Sequence, residues 1–227
     1  MRDFDGALRR ADEGLALCPQ SAELHEWKAA AFEGLSQWHQ AACELQRAVK
    51  LQRFHEYDTL YEACLCLARA GDHEQALMLA KRRKQQIPAN VYYLCLAAAH
   101  AWNQPHLARE ALWQAFQAAH QGSPATELIG VIVDASEAWT GRPQIAREAL
   151  RKAKCGNGLV WKYRLLLLYQ LETEEERQRL GKVIRAMYED TAYSGSPFLY
   201  LDMRDVLDGR TLRMPRGIRM ERSGWPS

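Results

Sequence analysis

Six cysteines and seven histidines are the side chains best suited to hold a metal or attack a bond, and their spacing speaks against both roles. Cys18, Cys43, Cys64, Cys66, Cys95 and Cys155 include no Cys-x-x-Cys pair. Cys64 and Cys66, two apart on a helix, point to different faces and cannot chelate one ion together. Most of the six stand where a small buried residue suits a helix, the usage of a reducing compartment. His73 and His106 fall in turns between helices. His100 would either face a ligand and tune binding near neutral pH or sit as an ordinary surface histidine. The chain holds no phosphate-cradling glycine loop, no His-Glu-x-x-His and no Gly-x-Ser-x-Gly. Glu174, Glu175 and Glu176 fit the first turn of a helix, where the helix dipole accounts for them. The expectation is a protein with no catalytic residue, no metal site and no cofactor.

Charge narrows the partners. Thirty Lys and Arg against 28 Asp and Glu leave a net charge of +2, so no global field favours nucleic acid or an anionic membrane. Two local clusters stand out: Lys81 to Lys84 at the end of a helix, and Arg210, Arg213, Arg216, Arg219 and Arg222 at a spacing of three near the C-terminus. The arginine segment either lies back against acidic surface, competing with an outside ligand, or forms a flexible solubilising end. Nucleic-acid binding through these clusters is the rival function, disfavoured because nothing resembles a recognition helix or a stacking platform. No apolar run approaches the roughly 18–20 residues of a membrane span, and MRDFDG lacks the apolar core of a signal peptide. A cytoplasmic protein without a membrane partner is expected.

The elements that must position any site follow from a repeat. Ala7, Ala41, Ala76, Ala111 and Ala149 recur at steps of 34, 35, 35 and 38 residues, each inside similar helix-forming sequence. A period near 34 marks stacked helical hairpins, none able to bury its apolar face alone, and it predicts a binding surface instead of chemistry. The segment AWNQPHLAREAL at 101–112 returns as AWTGRPQIAREAL at 138–150 with one extra loop residue. Small residues let two helices approach, and a bulky residue on the preceding helix fills the groove between turns.

These residues resemble the tetratricopeptide repeat family over about residues 2–156. The family's small position eight is Ala29, Cys64, Ala99 and Ser136; its bulky position eleven is Phe32, Leu67, Trp102 and Trp139; its proline thirty-two is Pro19 and Pro88. Arg53 and Ser123 depart from that proline, and Lys28 stands where the family usually has leucine. The fold expected is all-α, a right-handed superhelix of antiparallel helical hairpins (an α-solenoid) with about 10–11 helices. Residues 1–156 would form the repeats, the first unit incomplete and able to self-associate through its uncovered end. Residues 157–190 would form a closing hairpin, built from the apolar stretch 159–171 and a helix opened by the Thr173/Glu176 capping box. Residues 191–227 would be an irregular, Arg-rich tail carrying a short docked helix at 198–207.

In that family the first helix of each unit lines a concave groove. The resemblance places there Glu23, Glu26, Trp27 and Glu33; then Asp58, Tyr61, Glu62, Leu65 and Arg69; then Tyr93, Leu96 and His100; then Asp134 and Glu137. Seven are acidic, so the groove should favour a basic or amphipathic segment of another protein, with Trp27, Tyr61 and Tyr93 as apolar anchors. It should repel the terminal carboxylate that chaperone-binding members grip with Lys, Asn and Arg. The implied function is a non-catalytic adaptor or chaperone-like module. A homo-oligomeric scaffold and a nucleic-acid-associated regulatory module are the alternatives, and a solvated helix face is the bland reading of the carboxylates.

Overall fold

The computed structural model describes residues 3–52, 57–194, 197–216 and 218. Among them the chain forms twelve α-helices and no strand. It divides into two compact units, Met1–Asn103 and Gln104–Ser227. The first holds α1 (Phe4–Leu17), α2 (Ala22–Gly34), α3 (Trp38–Leu51), α4 (Tyr57–Arg69), α5 (His73–Arg83) and α6 (Ala89–His100). The second holds α7 (Pro105–Ala118), α8 (Pro124–Trp139), α9 (Pro143–Lys152), α10 (Gly158–Tyr169), α11 (Glu174–Ser194) and α12 (Pro197–Leu207). Each helix packs on the next within its unit; α4 also meets α6, α8 meets α10, and α10 meets α12. The twelfth helix exceeds the expected 10–11 because α12 is a full three turns, docked on α10 and α11.

The helix boundaries have local causes. Asp3, Ser21, Ser123 and Asn157 cap α1, α2, α8 and α10 by accepting a backbone N–H of the first turn. Pro105, Pro124 and Pro143 open α7, α8 and α9, where a missing N–H costs nothing. Three hairpin turns share one backbone device. Gln37, Asp72 and Arg142 each donate an N–H to the carbonyl five residues back, on Phe32, Leu67 and Glu137, at 2.8, 2.9 and 3.0 Å. The residue before each donor has positive φ: Ser36 at 58°, Gly71 at 91° and Gly141 at 84°. This is the left-handed helix ending that glycine favours.

The same turns fix the register of the alanines. In α3, α5, α7 and α9 the residue four after the N-cap donates its N–H back to the cap carbonyl, and it is Ala41, Ala76, Ala108 and Ala146. All four are wholly buried. The structural register therefore runs through Ala108 and Ala146 instead of Ala111 and Ala149, one turn earlier, with steps of 35, 32 and 38. Residues three apart share a helix face, so the Ala-Arg-Glu-Ala motif offers two candidates and sequence similarity alone picks the second. Ala111 is still buried, Ala149 only half so, and Ala7 is exposed; α1 buries Gly6 and Ala11 in its place. On the helices before α3, α5 and α9, the small residues Ala29, Cys64 and Ser136 are fully buried, as is Ala99 on α6.

Polar cores fasten each unit. In the first, buried Glu44 on α3 binds His25 Nδ1 at 2.6 Å and Arg47 at 2.9 Å, and lies 3.5 Å from Lys28, which reaches Asp12 of α1 at 2.7 Å. The Asp12 contact leads the forces that hold the Lys28 ammonium above the usual lysine range. The Lys28 charge is matched from α1 by Asp12 and from α3 by Glu44, and its ammonium lies 5.8 Å from the centre of the Phe32 ring. In the second unit, residues 210–216 form a strap over α10 and α12. Gln170 accepts the Leu212 N–H (2.7 Å) and donates to its carbonyl (3.2 Å). Leu212, Met214 and Ile218 are buried. Arg216 has no exposed surface; its guanidinium binds Asp205 at 2.6 Å and lies 3.6 Å from Asp202. Its backbone N–H meets Asp202 (2.7 Å), and its carbonyl accepts from the Tyr163 hydroxyl (2.7 Å). Within 191–227, then, 197–207 is helix and Arg210 to Arg216 belongs to the packed body. Arg219 and Arg222 lie outside the described residues.

Two substitutions test this construction. A Cβ at Gly71 would meet nothing within 4 Å, so Gly71→Ala should cost about 1 kcal/mol through its positive φ alone. Gly158→Ala, equally open but at ordinary dihedrals, should cost nothing in the same thermal melt. Arg216→Met removes a fully buried cation from beside Asp202 and Asp205 and should cost about 3–5 kcal/mol in urea denaturation; a loss below about 1 kcal/mol would mean the strap contributes little.

Candidate functional site

The carboxylate row separates into an accessible and an enclosed part. On α2, Glu23 is exposed and Trp27, one turn on, keeps 60% of its surface in water. Glu26 is half-buried: its Oε1 accepts from Gln52 Nε2 at 2.6 Å and from Thr59 Oγ1 at 2.5 Å, so the carboxylate ties α2 to α4. Glu33, at the end of α2, retains 1% of its exposure. On α4, Tyr61 and Leu65 retain none and Glu62 retains 4%, while Asp58 is half-buried. On α6, Tyr93, Leu96 and His100 are half-buried, the Tyr93 ring tilted 58° against Tyr92 at 5.4 Å. The surface a partner could touch in the first unit is therefore Glu23, Trp27, Asp58, Tyr93, Leu96 and His100. Glu33, Tyr61, Glu62 and Leu65 are core.

Arg69, the one reliable cation of the row, serves the fold as well. Its guanidinium stacks over Trp38 at 4.8 Å and over Trp102 at 5.6 Å, joining the end of α4 to the start of α3 and to the residues after α6. Nothing in its sequence neighbourhood marks this, since both indoles lie more than thirty residues away.

Asp134 and Glu137 stand on α8 of the second unit. Glu137 is engaged by Arg109 and, at 2.6 Å, by Arg142. Burial, then the negative charge of Glu137 one turn away, raises the Asp134 carboxyl above the usual carboxylate range. The cysteines are quiet: Cys64, Cys66 and Cys95 are enclosed, and contact with Cys64 together with burial pushes the Cys95 thiol well up. Among the described residues no three His, Cys, Asp or Glu side chains gather as a metal site, and no helix is long and apolar enough to cross a membrane.

One site was missed in the sequence. A cavity of about 450 Å³ opens in the second unit between α8, α10, the start of α11 and the strap, with Trp139, Gln170, Arg177 and Arg213 in its wall. Trp139, the Gln170–Arg177 stretch and Arg213 come from segments more than thirty residues apart, and only the docking of the strap brings Arg213 to Trp139. No local spacing could have announced it. No protein-family model matches the chain, and no curated protein matches it.

Asp134 supplies a pH test. A carboxyl whose folded pKa is raised favours the folded state fully below the unfolded value near 4 and loses that contribution as pH climbs through the folded value. Asp134→Asn should therefore melt slightly higher than the parent at pH 7, by less than about 3 °C, and the gain should vanish near pH 3.5. An unchanged or lower melting point at pH 7 would contradict the burial argument.

Proposed function

We propose that the chain is an adaptor of tetratricopeptide type, a right-handed solenoid of helical hairpins that binds a basic, amphipathic segment of another protein without catalysing a reaction. The consecutive hairpins, the shared left-handed turns at Ser36, Gly71 and Gly141, and the buried small residues Ala29, Cys64, Ala99 and Ser136 support the repeat reading. One observation carries the binding reading: Trp27 stays open to water while Glu23 lies one turn before it on the same face of α2. Tryptophan is over-represented among the residues that dominate binding energy at interfaces, and Trp27 is the most exposed indole among the described residues. Asp58 and the half-buried Tyr93 and Leu96 extend the acidic and apolar character within the same unit.

The adaptor reading is preferred here to nucleic-acid binding through the basic clusters. Arg210 and Arg216 are bound to Asp205, and Arg213 stacks on Trp139 at 5.9 Å, so three of the five arginines are committed within the fold. Lys81 and Arg82 remain exposed, but positive charge closing a helix is ordinary dipole complementation.

The test is affinity purification from the native cell, comparing the parent chain with a Glu23→Lys/Trp27→Ala variant. Both residues are exposed, so folding should be retained. A single segment should bind near micromolar, about −8 kcal/mol, and Trp27→Ala alone should weaken it by about 2 kcal/mol, roughly 30-fold. A partner captured equally by both proteins, or a shift of DNA or RNA with steep salt dependence, would overturn the proposal.

A further inference from the structure

Asp134, half-buried on α8, is a carboxylate that the fold leaves unanswered. Among the described residues no hydrogen bond and no ion pair reaches it, whereas its neighbour Glu137 is held by Arg109 and Arg142. Burial first, and then the like charge of Glu137, keep its carboxyl above the usual range, and no cation among the described residues offsets them.

What stands beside this carboxylate is aromatic. α7 and α8 run antiparallel, and two contacts fix their register: Arg109 with Glu137, and the Phe116 ring over Gly130, where a Cβ would come within 3.3 Å of it. Arg109, Trp113 and Phe116 share one face of α7, and Gly130, Asp134 and Glu137 share one face of α8, each set spaced by four residues and then three. Between the two contacts, then, Trp113 stands level with Asp134. The indole keeps 47% of its surface in water and stacks on the Phe116 ring at 5.7 Å. The geometry points to this pair as a site for one arginine side chain of a partner protein, its guanidinium laid on the Trp113 indole and forked onto the Asp134 carboxylate.

Elsewhere the fold builds the same union from its own residues: Arg69 lies over Trp38 and Trp102, and Arg213 over Trp139. Trp113 carries no cation among the described residues. Arg109, one turn before it, is drawn off to Glu137 and leaves Asp134 to a charge from outside. Arginine suits this place better than lysine, because its guanidinium is planar, stacks on an aromatic face and meets a carboxylate through two parallel N–H donors. Shedding water between an indole and a half-buried acid strengthens both contacts. The site lies wholly on the α7–α8 hairpin and does not depend on the Glu23 and Trp27 surface of the first unit.

The experiment is a nuclear magnetic resonance titration of the isotope-labelled full chain with an acetylated, amidated Gly-Ser-Arg-Ser-Gly peptide. The same peptide carrying lysine, or the neutral arginine isostere citrulline, serves as comparison. Trp113→Ala identifies the Trp113 indole N–H signal by its loss. The arginine peptide should move that signal and the Asp134 amide to saturation with a Kd below about 10 mM, and the lysine peptide should bind more weakly. Citrulline in place of arginine, or Asp134→Asn in the chain, should each weaken binding by about tenfold, the loss of a charge-assisted pair of hydrogen bonds. Trp113→Ala, read at the Asp134 amide, should weaken it by about fivefold. Asp134→Asn keeps the shape of the side chain and is expected to melt no lower than the parent at pH 7, so it decides should Trp113→Ala lose helix. The inference is overturned if the arginine peptide leaves the Trp113 indole unmoved, if the citrulline or lysine peptide binds as tightly, or if Asp134→Asn binds undiminished. Glu23→Lys/Trp27→Ala should leave the Trp113 response unchanged, so failure at this site is distinguishable from failure at the first-unit surface.

Discussion

Two helices come within about 8–10 Å of one another only where the side chains between them are small, and this chain places such a residue at one fixed point of each hairpin. Ala41, Ala76, Ala108 and Ala146 sit one turn inside their helices, buried without remainder. On the helix before Ala41, Ala76 and Ala146 stand Ala29, Cys64 and Ser136, also without exposed surface. Enlarging either member of a close contact forces helices apart or side chains off their rotamers, at a typical cost of about 1–3 kcal/mol. Much else depends on that approach. It lets Glu26 reach Thr59 across a helix boundary, and it brings Arg69 between two indoles.

The hairpins were legible in the sequence because small residues and helix period repeat together, and because Gly71 and Gly141 mark a turn that needs positive φ. Ser36 takes the same conformation without being glycine, so that turn is visible only in the backbone. The one-turn error at Ala111 and Ala149 has a plain cause. Similar sequence follows the Arg-Glu pair between two alanines on one face, whereas packing follows the distance from the cap. The turn before α7 lacks the left-handed residue of the other three, and there the step shortens to 32 residues.

The candidate site was less legible, for a reason that resides in neighbours. Glu23 and Glu33 are chemically identical and share a helix, yet one meets water and the other is closed off. The first turn of α2 is open, while its last turn carries Gly34, where a Cβ would come within 2.4 Å of the Phe4 ring of α1. A sequence pattern assigns a residue to a face but cannot say how far along the helix a neighbour covers that face. The arginine segment misleads in the same way. Its regular spacing suggests solvated charge, but Asp202 and Asp205, 14 and 11 residues before Arg216, stand on the adjacent α12 and draw the strap inward.

Ion pairing inside each unit decides which charges stay open. In the first unit Lys28 and the exposed Arg47 converge on buried Glu44, and Arg69 stacks on its tryptophans, while Glu23 beside Trp27 stays exposed. In the second unit the carboxylates are the ones consumed: Glu172 receives Arg151 in a two-pronged bond at 2.6 and 2.7 Å, Glu137 receives Arg109 and Arg142, and Asp205 receives Arg210 and Arg216. An ion paired within the fold exerts little pull on a ligand, so the charge an open surface presents is the charge that the folded unit has not already matched inside.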